Sequence, residues 1–434
     1  MAPKLLKSYK SYVLFICLTL LLYLFIFNFT HSGGIQKGIQ KLELWKGTDL
    51  LDNMDIDCNG LIRGDKNSSS LKLELENVER QLMLSVNRCQ TLKTLFHFPS
   101  EPQSPEEHDY PLAYGLLVFQ NLPQVLFMLS SIYHPQNQYC IAVSQNADSR
   151  FRQLLGDLTG CFPNVYFMVR PPISWGSHEI IESVYECLDF LSHLKVDWRY
   201  FQYLSGVDAP LKTNLEIVRM FKAMAGSANV EVKDYQMGRL KGKNYSSSPL
   251  PLYKSSLSAL IPREAANAMA SSPIPRALLS FLKDTAIADE AFWGTLLANK
   301  DLFDIPGSIR GQDLLDLRIQ MKDQNASEFR DFYYMSRDQI WDSSMCKSGR
   351  MPSGSCAFGI GDLPRLLNSR APIAHKFYLD TEPEAYFCVL KAIRRRSDNG
   401  GDKEIDVSFY QSQPQTQLMK GKSFKEIENL QRFL

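Results

Sequence analysis

The residues of this sequence best suited to chemistry are two adjacent carboxylates, Asp289 and Glu290, followed by Trp293 in the segment 285–300, TAIADEAFWGTLLANK. Phe292, Trp293, Leu296 and Leu297 recur at helical steps. The carboxylates are therefore expected in the first turn of a helix, where acidic side chains complement the positive end of the helix dipole. That placement requires no further role. A carboxylate pair beside an indole also suits a general base in a sugar-binding cleft, which must come within ~3 Å of the hydroxyl it deprotonates. Farther on, Lys376 in His375-Lys376-Phe377 is of a type that meets phosphate as a point charge, or else is a solvated surface lysine. Arg394, Arg395 and Arg396 read as a solvated basic face. Asp55-Ile56-Asp57 has the spacing of a divalent-cation site for a nucleotide diphosphate. It lies beside Cys58, away from any strand end, so the rigid cage that a hard cation needs is not expected there and no metal is assigned. G-x-S-x-G, H-E-x-x-H, GxxxxGK[ST] and paired C-x-x-C motifs are absent and the seven histidines are scattered, which leaves a zinc hydrolase or a Ser-His-Asp enzyme without support.

The elements that must carry these residues begin near Tyr110. Short apolar runs at 113–119 (AYGLLVF), 139–143 (YCIAV), 165–169 and 200–204 read as buried strands, and 123–133, 149–158 and 180–194 read as helices. Strands alternating with helices predict an α/β domain with a mainly parallel central sheet, and ligands of such sheets sit at the carboxyl ends of the strands. The positions to watch there are Phe119, Ser144, Arg170 and 205–212. This domain is assigned to 109–400 and the remainder, 401–434, to a C-terminal tail. Ahead of it, 30–108 reads as a stem. Leu71, Leu75, Val78, Leu82, Val86, Cys89 and Leu92 recur at three- and four-residue steps, as on one face of a single helix that docks on the domain, and the linker PSEPQSP follows at 99–105.

Residues 12–29 (YVLFICLTLLLYLFIFNF) form an uncharged run just long enough for a ~30 Å hydrocarbon core. Lys4, Lys7 and Lys10 precede it and no Lys or Arg follows until Lys37. This charge asymmetry predicts a cytoplasmic tail at 1–11, a retained single-pass signal anchor at 12–29 and a luminal or extracellular remainder. Asn67, Asn244 and Asn325 head glycosylation sequons in that remainder. Of the nine cysteines, Cys17 lies in the apolar run. The others are even in number and expected to pair in an oxidising compartment, in any of ~105 connectivities as far as spacing goes. The composition, 44% hydrophobic and 22% charged, is that of a globular protein. Lys+Arg 48 against Asp+Glu 47 leaves no basic excess for coating nucleic acid.

Taken in order, Ala113-Tyr114, Tyr133-x-Pro135-x-Asn137-x-Tyr139-Cys140, Ser205-Gly206-Val207-Asp208-Ala209-Pro210-Leu211-Lys212, Asp289-Glu290-x-x-Trp293-x-Thr295, Gly359-Ile360-Gly361-Asp362-Leu363 and Lys376-Phe377 resemble the core-2/I-branching β-1,6-N-acetylglucosaminyltransferase family over about 110–390. The resemblance implies a GT-A-like fold in a type II Golgi membrane protein. It implies transfer of GlcNAc from UDP-GlcNAc with inversion and without a metal or other cofactor, to the GalNAc 6-hydroxyl of mucin-type Galβ1-3GalNAc O-glycans on glycoproteins. Within it Glu290 matches the catalytic base and Lys376 the cation that neutralises the diphosphate. Leu117, Val118 and Phe119 border the nucleotide, and Glu231 and Trp175 are acceptor contacts. It further implies the disulfides Cys58–Cys388, Cys89–Cys161, Cys140–Cys187 and Cys346–Cys356. Asp289 is expected to cap or brace the helix start, so that its loss costs stability more than turnover. Two positions depart from the family: Ser144 stands where an Asp is usual near the nucleotide, and Ser353 where an Arg contacts the diphosphate, leaving Arg350 as the nearest substitute. An altered donor site opens UDP-glucose as an alternative donor. It also motivates a non-catalytic Golgi glycan-binding or scaffold protein as an alternative function. A protein O-xylosyltransferase-like enzyme is the remaining alternative, disfavoured by the cysteine pattern and short C-terminus.

Overall fold

Four strands, β1 (Ala113–Val118), β2 (Gln138–Ser144), β3 (Val165–Arg170) and β4 (Tyr200–Ser205), lie parallel in the order β3-β2-β1-β4. They belong to a computed structural model that describes residues 49–64, 75–323, 333–398 and 405–434, all within one compact unit. The expected anchor at 12–29 and the sequons at Asn67 and Asn325 lie outside the described residues. Among the described residues no helix is long and apolar enough to cross a membrane.

Every residue of β2 is buried, and β1 is buried at all but one position. Strands covered on both faces read as continuous apolar runs, which is why these were legible in the sequence. The helices Leu122–Ile132, Ser149–Thr159 and His178–Ser192 connect them. Gly115 of β1 admits the close approach of its neighbours. A Cβ there would stand 2.6 Å from the Phe201 ring of β4 and 3.4 Å from Cys187 Cβ. Cys187 is disulfide-bonded to Cys140 of β2, fastening the helix His178–Ser192 to the sheet. The register pairs Leu117 with Ser205 and Ser144 with Arg170, so the carboxyl ends of β1 to β4 form one rim. Three antiparallel pairings complete the strands: β8 (Leu260–Pro262) against β4, β5 (Asp208–Pro210) against β9 (Ile373–His375), and β6 (Lys233–Asp234) against β7 (Tyr253–Lys254).

The single helix expected across 71–92 is two among the described residues, Leu75–Leu84 and Arg88–Leu95. Asn87 caps the second, its Oδ1 accepting from Gln90 N at 3.0 Å, and Val86 in the break is fully exposed instead of on the apolar face. The first packs on Leu122–Ile132 and the second on Ser149–Thr159, where Cys89 is bonded to Cys161. Cys58–Cys388 ties the segment 49–64 to the helix Pro383–Asp398, and Cys346–Cys356 closes a small loop. The four disulfides thus join the pairs that the family resemblance implies.

Asp57 of the Asp55-Ile56-Asp57 motif is an N-cap, its Oδ1 accepting from Gly60 N at 2.9 Å. The basic triplet is not a solvated face. Arg394 is ion-paired with Asp49 and Arg396 with Glu216 at 3.1 Å, their side chains 11% and 17% exposed, and only Arg395 is exposed to solvent. The residues 405–434 fold back in the helices Val407–Gln411 and Pro414–Met419, with Phe433 and Leu434 buried.

Candidate active site

The rim formed by the carboxyl ends of the strands opens into a cleft of about 700 Å³. Leu117, Val118 and Phe119 line it at the end of β1, Ser144 at the end of β2, and Ser205, Gly206 and Val207 after β4. Asn121 and Gln124, at the amino end of the helix Leu122–Ile132, line it as well, so the positive end of that helix faces the cavity.

Ser144 is buried and its hydroxyl is already engaged. It hydrogen-bonds Asn146 and accepts from Ile173 N at 2.9 Å, while Asn146 Nδ2 donates to Ile173 O at 3.2 Å. These bonds hold the loop that presents Trp175, which lines the cleft with 74% of its surface exposed. The side chain at this departure from the family pattern therefore supports the wall of the cleft and brings no charge to it.

Asp289 and Glu290 do not sit in the first turn of the α-helix, as the spacing led us to expect. They form a separate 3-10 turn, Ala288–Glu290, and Ala291 at φ −129° breaks the path before the helix Phe292–Leu297 begins. Neither turn is capped by a side chain, so Asp289 is not the helix cap. Both carboxylates line the cleft. Glu290 Oε2 lies 2.9 Å from Arg239 Nη1, an ion pair whose angle makes no hydrogen bond, and 3.6 Å from Lys254 Nζ. Lys254 also lies 4.0 Å from Glu231 Oε2, whose other oxygen meets Lys233 Nζ at 2.6 Å. Glu231 stands outside the cleft wall and is linked to Glu290 through this shared lysine. Asp289 is partly exposed, but its Oδ1 is buried without a hydrogen-bond partner. Burial, and then the neighbouring Glu290 charge, push its carboxyl up to about 6.

The cationic side of the cleft is built on β9. Its partner strand β5 supplies Asp208, whose Oδ1 meets His375 Nδ1 at 2.6 Å. Burial and the nearby Arg337 push the imidazole down to about 4, so it is neutral. The bond to Asp208 assigns the proton to Nδ1 and leaves Nε2 as an acceptor. Lys376 is buried, its Nζ donating to Pro352 O, and burial followed by Arg337 pushes its ammonium down to about 8. Arg350 lies outside the cleft wall and donates from Nη1 to Asp380 O at 3.4 Å, while Ser353 lines the cleft. The arginine that does line it is Arg337. Arg337, Arg239, Lys254 and Trp341, the last 57% exposed in the cleft, were not found from sequence; none lies in the ordered motifs, and no local pattern separates them from surface residues. Asn244 is exposed, its Oδ1 accepting from Ser246 Oγ at 2.7 Å. Among the described residues no group of three or more His, Cys, Asp or Glu side chains is arranged to hold a metal ion.

The model of a family described as Core-2/I-Branching enzyme matches residues 112–308. An N-acetyllactosaminide β-1,6-N-acetylglucosaminyl-transferase of Mus musculus is 30% identical over 349 residues, 74% of this chain and 82% of that protein. A β-1,3-galactosyl-O-glycosyl-glycoprotein β-1,6-N-acetylglucosaminyltransferase 3 of the same species is 26% identical over 387 residues, 82% of this chain and 87% of that protein. A human β-1,3-galactosyl-O-glycosyl-glycoprotein β-1,6-N-acetylglucosaminyltransferase is 26% identical over 374 residues, 79% of this chain and 86% of that protein. Among solved structures, the mannosyltransferase Ktr4p from S. cerevisiae overlaps 60% of this chain and 82% of its own at 11% identity with a TM-score of 0.26, too slight an overlap to argue from.

Proposed function

The chain belongs to the core-2/I-branching enzyme family, and we propose that it is a metal-independent inverting glycosyltransferase of GT-A-like fold, adding a β-1,6-linked sugar from a UDP-sugar to the GalNAc of Galβ1-3GalNAc O-glycans. One observation carries this reading: a carboxylate, Glu290, and a cation, Lys376, line the same cleft at the carboxyl ends of a parallel sheet.

In the reaction the acceptor's 6-hydroxyl oxygen attacks the anomeric carbon of the donor. Glu290 takes the hydroxyl proton as the new C–O bond forms. The bond from the anomeric carbon to the diphosphate oxygen breaks on the opposite face, and UDP leaves with the electron pair. Lys376 meets the charge that grows on the diphosphate, a task for which a fixed cation in a partly dry site is effective. Ion pairs to Arg239 and Lys254 restrain Glu290 Oε2, which limits the orientations the base can take. Glu231, joined to the base through Lys254, accepts hydrogen bonds from acceptor hydroxyls, and the exposed faces of Trp175 and Trp341 offer stacking surfaces for sugar rings. Leu117, Val118 and Phe119 border the nucleotide.

The donor is UDP-GlcNAc or, because Ser144 brings no carboxylate to the cleft, UDP-glucose. The apolar run at 12–29, the exposed sequon at Asn244 and the four disulfides support a single-pass type II protein of the Golgi membrane with its catalytic domain in the lumen. A second reading has N-acetyllactosaminide as acceptor, favoured by the name of the relative that is 30% identical. Purified full-length protein, incubated with UDP-GlcNAc or UDP-glucose and with either acceptor, tests these readings through UDP release and the linkage of the product. Turnover of a Galβ1-3GalNAc acceptor to a β-1,6 product is expected. Absence of product from every donor and acceptor pair would favour the non-catalytic alternative.

A further inference from the structure

Arg337 lines the cleft alongside Lys376 but has no part in the scheme above. Its backbone is held from both sides. Ser336 O accepts from Gln202 Nε2 of β4 at 2.8 Å, and Ser336 Oγ meets Ser258 Oγ at 2.6 Å. Asp338 bridges in parallel to Ala374 of β9, with Asp338 N donating to Ile373 O at 2.7 Å and His375 N to Asp338 O at 2.8 Å. Arg337 is thereby clamped beside His375 and Lys376, on framework rather than on a free loop.

Of the acids around it, Asp289 feels the Arg337 charge but forms no ion pair with it, and three others are committed elsewhere. Asp338 accepts from Arg365 Nη1 through both oxygens at 2.8 Å and from Ser369 Oγ at 2.7 Å. Asp208 accepts from Ser205 N, Ser205 Oγ and His375 Nδ1. Glu290 is held by Arg239 and Lys254. Among the described residues Arg337 has no ion pair, and its Nε is buried without a hydrogen-bond partner. Arg337 and Lys376 share the cleft and repel each other, and Arg337 contributes to the depressed Lys376 ammonium while Asp208 opposes that shift. An anion bound between them relieves the repulsion.

We propose that Arg337 and Lys376 form a two-cation clamp for a diphosphate, with Arg337 supplying the guanidinium contact that Ser353 cannot. A guanidinium presents a planar fork that fits phosphoryl oxygens two at a time, whereas the lysine ammonium acts as a point charge. The proposal takes only the identity of the anion, the diphosphate of a UDP-sugar, from the function proposed above. The clamp itself follows from the two cations.

The test titrates the full-length protein, its Arg337→Ala variant and its Arg337→Lys variant with inorganic pyrophosphate, UDP and uridine, following binding by calorimetry. The wild type is expected to bind pyrophosphate, and UDP more tightly than uridine. Arg337→Ala is expected to weaken UDP and pyrophosphate roughly 10- to 100-fold, the loss of a charge-assisted contact, with uridine unchanged. Arg337→Lys should recover part of that loss by restoring charge without the fork. Unchanged pyrophosphate and UDP affinity in Arg337→Ala overturns the clamp, as does a wild type that binds neither. Loss of uridine together with pyrophosphate in both variants also overturns it, since that pattern marks a structural role. If pyrophosphate binds and is lost in Arg337→Ala while UDP binds no better than uridine, the clamp stands and the UDP-sugar reading falls.

Discussion

Replacing Asp289 by Asn removes a carboxyl that the fold holds at about 6 against an ordinary 3.8, mainly by burial. From its place beside Glu290 in the sequence, this residue was expected to brace a helix, so that its loss would destabilise. Burial of the carboxyl predicts the opposite sign. Each pH unit of difference is worth ~1.4 kcal/mol, so the ionised carboxylate costs the folded state up to ~3 kcal/mol near neutrality. An Asn side chain does not ionise but brings amide atoms to a spot where Oδ1 already lacks a partner, at a cost of ~1–2 kcal/mol. The expected net gain for Asp289→Asn at pH 7.5 is therefore ~1–2 kcal/mol. A raised carboxyl favours the folded state when protonated. Its contribution is fully present below the unfolded value near 3.8 and is lost as pH rises through about 6. The advantage of the variant should accordingly shrink as pH falls from about 7 to about 4. Urea unfolding of wild type and variant at several pH values, disulfides intact, measures the difference. A variant that is no more stable at pH 7.5, or a difference that does not change with pH, would refute the reasoning.

Glu290→Gln is nearly isosteric and should lower turnover by at least ~10²-fold while leaving UDP affinity little changed, as read from steady-state kinetics and calorimetry; near-normal turnover would remove Glu290 as the base. Activity should survive excess EDTA in an assay of UDP release, and strict dependence on added manganese would overturn the assignment of diphosphate charge to Lys376 and Arg337. Replacing Cys140 and Cys187 together by Ala should cost ~2–5 kcal/mol, measured as a lower denaturation midpoint, because the bond that fastens a flanking helix to the sheet no longer restricts the unfolded chain.

Much of the architecture was legible because its signals are local. The runs at 113–119, 139–143, 165–169 and 200–204 are mainly apolar and correspond to β1 to β4; the inner strands β1 and β2 are covered on both faces, whereas β3 is an edge strand with Val169 exposed. Glu290 and Lys376 stood out through short motifs that keep their order along the chain and Ser144 through its place at the end of a strand, and all three line the cleft. Tertiary structure decided the rest. The Leu71–Leu92 periodicity continued through Val86, yet Asn87 caps a new helix there and turns Val86 to solvent. Arg394 and Arg396 looked like a basic surface until the fold brought Asp49, near the start of the described residues, and Glu216, in the helix Asn214–Met224, against them. Asp289 and Glu290 are neighbours of the same charge type, and only burial separates them, leaving one orphaned at Oδ1 and tying the other to Arg239 and Lys254. Arg337 carries no motif at all; its place beside Lys376 exists because Asp338 pairs with Ala374 of β9. Sequence periodicity reports which face of an element is buried, whereas the partner of a charge is set by residues far along the chain, and their proximity exists only once the sheet has closed around the cleft.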